Sequence, residues 1–228
     1  MSSKHPPSPA KATVFIVDDH PMVRDWLSRL INDEEDLEVC GFADNAGEAR
    51  QAISQLRPAI SIIDIGLRGK SGLELIRALT DQNPDQNILV LSMHDEDVYA
   101  YRAFRAGARG YVNKRQTADE VVLALRRILA GGVYVNEAFA ATLTMGLTRH
   151  RNVDKADADT MTLLSDRELE VFRLLAAGRK NSEIATDLSV SLKTVQSYCA
   201  RIKEKLNLSN ATELLQAATR WADEQNKG

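Results

Sequence analysis

Five short apolar runs, each followed by a segment with apolar residues at helical spacing, dictate what the first part of this chain can become. The runs are Thr13-Val-Phe-Ile-Val17, Leu37 to Cys40, Ala59 to Ile65, Asn87-Ile-Leu-Val-Leu-Ser92 and Gly110-Tyr-Val-Asn-Lys114. They are short and rich in β-branched residues. They do not alternate with polar ones, which is the pattern of strands buried on both faces. Pro21 opens the first intervening helix, in which Met22, Val23, Trp26, Leu27, Leu30 and Ile31 share a face. Ala46 to Leu56, Leu73 to Leu79, Val98 to Ala106 and Thr117 to Ala130 supply four more helices. Pro58, Pro84, Gly107 and Gly131-Gly132 stop them, and Gly41 is expected to close the second strand. Strand and helix in strict alternation imply a doubly wound (βα)5 parallel sheet with helices on both faces.

In such sheets functional groups collect beyond the carboxyl ends of the strands. Asp18 and Asp19 follow the first run, Asp64 the third, Ser92 the fourth and Lys114 the fifth. Asp64 stands among Ile60, Ile62, Ile63 and Ile65, where an unpaired charge costs several kcal/mol, at roughly 2–7 for polar groups and more for ions. Three clustered carboxylates raise one another's pKa, and a hard divalent cation such as Mg²⁺ relieves the repulsion. Lys114 and the Ser92 hydroxyl suit phosphoryl oxygens. The set fits phosphoryl transfer onto a carboxylate, with Asp64 as nucleophile.

Net charge is −3 over 228 residues, which excludes a chain that coats nucleic acid or membranes by bulk charge but leaves room for a local basic patch. Cys40 and Cys199 are far apart and lack metal-type spacing, so reduced thiols in a cytoplasmic protein are expected. No run approaches membrane-spanning length, and no membrane association is expected. Residues 1–12, with Pro6, Pro7 and Pro9, read as a disordered tail rather than a signal peptide. After residue 131 the periodicity fades. Residues 132–161 read as a linker, with a candidate helix at 136–147.

A second unit starts at residue 162. Ser165-Asp-Arg-Glu168 is a capping box ahead of Leu169, Val171, Phe172, Leu174 and Leu175, and Gly178 ends that helix. Ser182 to Leu188, Ser191 to Leu206 and Asn210 to Trp221 complete four short helices in a helix-turn-helix arrangement. In the third helix Val195, Cys199, Ile202 and Leu206 form a core stripe. Lys193, Ser197, Ala200 and Glu204 lie opposite, flanked by Gln196 and Arg201. That polar face suits the major groove, with Lys193 and Arg201 on phosphates.

These residues carry a resemblance to bacterial two-component response regulators. Asp18-Asp19-His20-Pro21, Asp64, Gly72, Ser92-Met-His94, Ala108-Arg-Gly-Tyr111 and Lys114 resemble the flavodoxin-like receiver domain over residues 13–131. Leu164-Ser-Asp-Arg-Glu168, Leu174 to Gly178, Asn181 to Ala185, Thr194-Val195 and Lys205-Leu206 resemble the LuxR-type helix-turn-helix of the NarL/FixJ subfamily over residues 162–228. The resemblance implies that Asp64 is the phosphoacceptor, and that Asp18, Asp19, Asp64 and the Gly66 carbonyl hold Mg²⁺. It makes Ser92 and Tyr111 a switch pair and Lys114 the phosphate-sensing cation. It puts Lys193, Thr194, Gln196, Ser197, Ala200, Arg201 and Lys203 on double-stranded DNA, with Gln196, Ser197 and Ala200 facing bases. It implies a sensor histidine kinase as donor and a homodimer on paired half-sites. The protein is then a transcription regulator that takes part in its own phosphorylation and slow dephosphorylation, not a turnover enzyme. Arg68 stands where the family usually has proline, and Gly66 and His94 occupy positions that tune phosphoryl lifetime. Two other readings compete. One is a receiver that only dimerises, without phosphorylation. The other is a phosphoaspartate hydrolase, disfavoured because Gly66 replaces the second acid such enzymes use.

Overall fold

The computed structural model describes residues 10–67, 71–93, 96–136, 140 and 163–225. The chain divides into two compact units, Met1–Thr144 and Met145–Gly228. Apart from Asn136 and Ala140, the candidate helix at 136–147 falls outside the described residues, as do most of the expected linker, Arg68 and His94.

The first unit is a five-stranded parallel sheet in the order β2-β1-β3-β4-β5. It contains β1 (Ala12–Val17), α1 (Pro21–Asn32), β2 (Leu37–Ala43), α2 (Ala46–Leu56), β3 (Ile60–Ile63), α3 (Gly72–Gln82), β4 (Ile88–Ser92), α4 (Glu96–Ala106), β5 (Gly110–Asn113) and α5 (Ala118–Leu129). All four residues of β3 and all five of β4 are buried, as their uninterrupted apolar runs require. Val14, Ile16, Ile62, Leu89, Leu91 and Val112 of the sheet pack with Leu27 and Ile31 of α1 and Val121, Leu125 and Ile128 of α5. Asn45 and Ser71 cap α2 and α3 through their side chains, and Thr117 opens α5 with a capping box.

The end of β2 differs from expectation. Gly41 does not close β2, which runs on to Ala43 with a register shift opposite Val14 and Phe15. A Cβ at Gly41 would come within 2.9 Å of the Phe15 ring. The glycine is there for a close approach in mid-strand, not for a turn.

The second unit comprises α6 (Asp166–Ala176), α7 (Asn181–Asp187), α8 (Leu192–Lys205) and α9 (Ala211–Gln225). Leu169, Phe172, Ile184, Val195, Ile202, Leu214 and Ala218 form its buried interior, and Trp221 lies against Phe172 at 5.9 Å between ring centroids. Gly178 (φ +76°) ends α6, and Ser189 (φ +52°) makes the turn from α7 to α8. The predicted stripe on α8 divides: Val195 and Ile202 are fully buried, whereas Cys199 and Leu206 are half-buried.

A part-buried ion pair ties the start of α6 to the end of α8. Glu168 completes the capping box of α6 by accepting from the Ser165 N–H at 2.7 Å and also accepts from Lys205 Nζ at 2.6 Å. Burial raises the Glu168 carboxyl, but the hydrogen bonds from Lys205 and Ser165 outweigh it and hold the pKa below the ordinary value of 4.5. A carboxylate depressed on folding contributes stability that is present above 4.5 and lost as pH falls through the folded value. Acid unfolding of the unit, followed by circular dichroism, is therefore expected to steepen below pH 4.5 in the wild type. Glu168→Gln is expected to be less stable at neutral pH and flatter across that window. Parallel curves for the two proteins would contradict this.

Candidate functional site

β1 and β3 are neighbours in the sheet while their following helices diverge, so the residues after these two strands meet over one crevice. The backbone fixes them there. The Asp18 N–H donates to the Ala43 carbonyl at 3.1 Å, and the Asp64 N–H donates to the Val17 carbonyl at 2.9 Å. β4 and β5 continue the edge, where the Lys114 N–H donates to the Ser92 carbonyl at 2.9 Å. β1, β3, β4 and β5 thus all end at the site, β1 with two acids, and the sheet register brings their polar groups together.

The carboxylates of Asp18, Asp19 and Asp64 are 3%, 6% and 6% exposed. Burial of this much negative charge demands compensation, and the Lys114 ammonium, 7% exposed, supplies part of it. Its Nζ is 2.5 Å from Asp18 Oδ2 and 2.6 Å from Asp64 Oδ2. Burial alone would lower the Lys114 pKa, but the charges of Asp64 and Asp18 and their hydrogen bonds hold it above its usual value. Lys114 therefore stays cationic at neutral pH and faces two acids at once. The Gly66 N–H donates to Asp64 Oδ1 at 3.1 Å and orients that carboxyl group. Arg24, from the first turns of α1, donates to the Asp18 carbonyl at 2.7 Å and braces the end of β1.

One ligand atom from each of Asp18, Asp19, His20 and Asp64 lies within 4.8 Å of the others. Three carboxylates at that spacing, gathered at the sheet edge, form the oxygen-rich donor set that a hard divalent cation selects. His20 belongs to this cluster as well, a role that sequence reasoning missed. The signal available was adjacency, since a ring one residue beyond paired acids at a strand exit has a short reach back to them.

Ser92 and Tyr111, from β4 and β5, are fully buried and share a hydrogen bond. Burial pushes the Tyr111 hydroxyl far above its usual range, and the Ser92 bond offsets only part of that, so the phenol remains neutral. Glu96 and Tyr99 of α4 are buried as well, and the carboxylate of Glu96 accepts from Asn136, beyond α5. Tyr134 runs beside β5, donating its N–H to the Arg109 carbonyl at 2.9 Å and accepting from the Tyr111 N–H at 3.2 Å. The chain after α5 is thus stitched to the strand that carries Tyr111.

In the second unit Lys193, Gln196, Ser197, Ala200 and Arg201 are exposed on α8, whereas Thr194 and Lys203 are half-buried. The Ser191 side chain accepts from the Thr194 N–H at 3.1 Å and the two hydroxyls are 2.7 Å apart, so Thr194 belongs to the helix cap. The Ser197 hydroxyl donates to the Lys193 carbonyl at 3.0 Å, which leaves its oxygen lone pairs available as acceptors. The outward face carries Lys193 and Arg201 along one side of a 14-residue helix, a layout compatible with backbone phosphates on either side of a groove.

Comparison with known proteins covers both units. Residues 14–126 match the response regulator receiver domain family, and residues 162–218 match the luxR family of bacterial regulatory proteins. The chain is 35% identical over 207 residues to the oxygen regulatory protein NreC of Staphylococcus haemolyticus, spanning 90% of this chain and 95% of that one. The NreC of Staphylococcus epidermidis is 35% identical over 208 residues, with the same coverage. Among solved structures, a LuxR-family two-component response regulator from Aurantimonas sp. SI85-9A1 is similar at 34% identity and a TM-score of 0.58, over 61% of this chain and 99% of that chain. RcsB of Salmonella enterica serovar Typhimurium, bound to promoter P1flhDC in the presence of BeF3⁻, is similar at 25% identity and a TM-score of 0.56, over 90% of this chain and 97% of that chain.

Proposed function

Since the chain belongs to the two-component response regulators with a LuxR-type DNA-binding domain, we propose that Asp64 is its phosphoacceptor and that the acylphosphate formed there controls DNA binding through α8. The observation that carries this reading is the convergence of Asp18, Asp19, Asp64 and Lys114 at one buried sheet edge. An Asp64 carboxylate oxygen forms the bond to phosphorus as the phosphorus–nitrogen bond to a kinase histidine breaks, and the imidazole leaves with the electron pair. Asp18, Asp19, Asp64 and the Gly66 carbonyl would hold Mg²⁺, which offsets negative charge on the transferred group when bound. Lys114 neutralises a further phosphoryl oxygen once Asp64 is esterified and no longer anionic. The Ser92 hydroxyl reorients to donate to another phosphoryl oxygen, which changes its bond with Tyr111 and the packing around Glu96 and Tyr99.

On the DNA side, α8 enters the major groove, with Gln196, Ser197 and Ala200 at base edges and Lys193, Arg201 and Lys203 on phosphates. Thr194 holds the helix start that presents them. Two copies on paired half-sites supply the affinity that one short helix lacks, in keeping with the solved RcsB dimers on DNA. The protein acts in the cytoplasm, where its kinase's catalytic part and the chromosome are both within reach.

The test is to incubate the protein with a small phosphodonor and Mg²⁺, follow the adduct by intact mass, and measure DNA affinity by footprinting across its own genome. The adduct is expected to tighten binding to selected sites by about 5- to 150-fold, the usual range of coupling between two sites. No adduct would sink the proposal. An adduct with unchanged dimerisation and DNA affinity would instead favour a receiver that serves only for pairing.

A further inference from the structure

The acidic pocket is not built of oxygen alone. His20 Nδ1 is 2.8 Å from Asp19 Oδ1 and 3.2 Å from Asp18 Oδ1. The residue is held at the N-cap of α1, where Pro21 sets the first turn and the His20 carbonyl accepts from the N–H groups of Val23 and Arg24. Its own N–H donates to Asp18 Oδ1 at 2.9 Å, so backbone and ring both close on the same carboxylate oxygen. Lys114 approaches from the other side and takes Oδ2 of Asp18 and Oδ2 of Asp64. Lys114 and the imidazole therefore divide the pocket, with Lys114 on the Oδ2 side and the ring nitrogen on the Oδ1 side. The ring does not cap α1 and is 61% exposed, so it carries no packing role that would explain its aim into the acids.

Donor chemistry decides what that arrangement favours. Mg²⁺ selects oxygen ligands and gives up water reluctantly, so an imidazole adds little for it. Mn²⁺ and Co²⁺ accept mixed carboxylate and imidazole sets, and affinity rises along the first-row series when nitrogen joins the ligands. We infer that His20 is a nitrogen ligand of this pocket, and that it tilts the site from Mg²⁺ toward first-row divalent transition ions such as Mn²⁺ and Co²⁺. This rests on the reading of Asp18, Asp19 and Asp64 as a metal site. Ligation uses the neutral ring with its proton on Nε2, and a ring this exposed leaves water to solvate that proton.

The experiment titrates the full-length protein with Mn²⁺, Co²⁺ and Mg²⁺ separately. Loss of the free Mn²⁺ electron paramagnetic signal, the visible absorption of bound Co²⁺, and Mg²⁺ competition against bound Mn²⁺ give the three affinities. His20→Ala and His20→Gln are compared with the wild type, and Asp19→Asn serves as the variant that should weaken every ion. Replacing His20 is expected to weaken Mn²⁺ and Co²⁺ by about tenfold and to alter the Co²⁺ spectrum, with Mg²⁺ changed by less than about twofold. If Mg²⁺ binds the wild type and both His20 variants leave all three affinities and the Co²⁺ spectrum unchanged, the inference is wrong while the metal site stands. An equal loss of all three ions on replacing His20 also overturns it, since that would make the ring a general support for the pocket. Failure of the wild type to bind any ion removes the metal reading and this inference together.

Discussion

An Asp64→Asn protein is expected to give no adduct with a small phosphodonor and Mg²⁺, remaining at its unmodified mass while the wild type is converted. The asparagine amide is not a nucleophile toward phosphorus, and no transfer to Asp18 or Asp19 is expected. The replacement does not threaten the fold. The contact from the Gly66 N–H to the side-chain oxygen at 3.1 Å survives in an amide, and Lys114 keeps Asp18 as its partner. Removing one of three clustered acids also relieves repulsion, so thermal stability without metal should hold or rise. Three measurements therefore travel together: adduct lost, melting temperature maintained, and DNA affinity insensitive to the donor. An adduct of wild-type yield on Asp64→Asn would move the acceptor to another residue, and peptide mapping would name it.

The sheet was legible because buried parallel strands leave an uninterrupted apolar trace, as in Ile60 to Ile63 and Ile88 to Ser92. The site was legible for a related reason: a polar residue at the end of such a trace has nowhere to go but the sheet edge. Asp18, Asp64, Ser92 and Lys114 could be placed without knowing a single distance. Contacts made across the chain left weaker marks. Gly41 looks like a terminator in sequence, because nothing local reveals that the Phe15 ring passes over it. Tyr134 pairs with β5 through backbone groups, which every residue has. Glu96 resembles any acidic residue at the start of a helix, and nothing local reveals that it is buried and accepts from Asn136 beyond α5. On α8 the helical period separates inside from outside, yet it could not show that Thr194 is committed to the cap with Ser191.

Replacing Gly72 by alanine is expected to unsettle site and fold at once, with a loss of at least about 3 kcal/mol from the first unit, beyond the usual 1–3 kcal/mol of an overpacked side chain. Gly72 is the first residue of α3, and its N–H donates to the Ile65 carbonyl at 3.0 Å. That bond holds the start of α3 against the backbone just beyond β3. A Cβ there would sit 2.0 Å from the Asp64 carbonyl oxygen and 2.8 Å from the Ile65 Cα. Both are backbone atoms, so no rotamer change relieves the clash, and either α3 or the Asp64 peptide must move. Moving that peptide turns the Asp64 carboxylate away from Lys114, and an ion pair with both side chains buried tolerates little of this. Gly131 supplies the contrast, because it has φ +85° with nothing within 4 Å of an added Cβ. Gly131→Ala should cost only about 1 kcal/mol, through backbone conformation alone. Thermal melts are expected to place Gly72→Ala more than about 10 °C below the wild type, well below Gly131→Ala. At temperatures where Gly72→Ala remains folded, its adduct should form more slowly than the wild type's. Equal melting temperatures for the two alanine variants would mean that α3 yields to the methyl group without disturbing β3, and that Asp64 is held by its own strand rather than by the glycine packed against it.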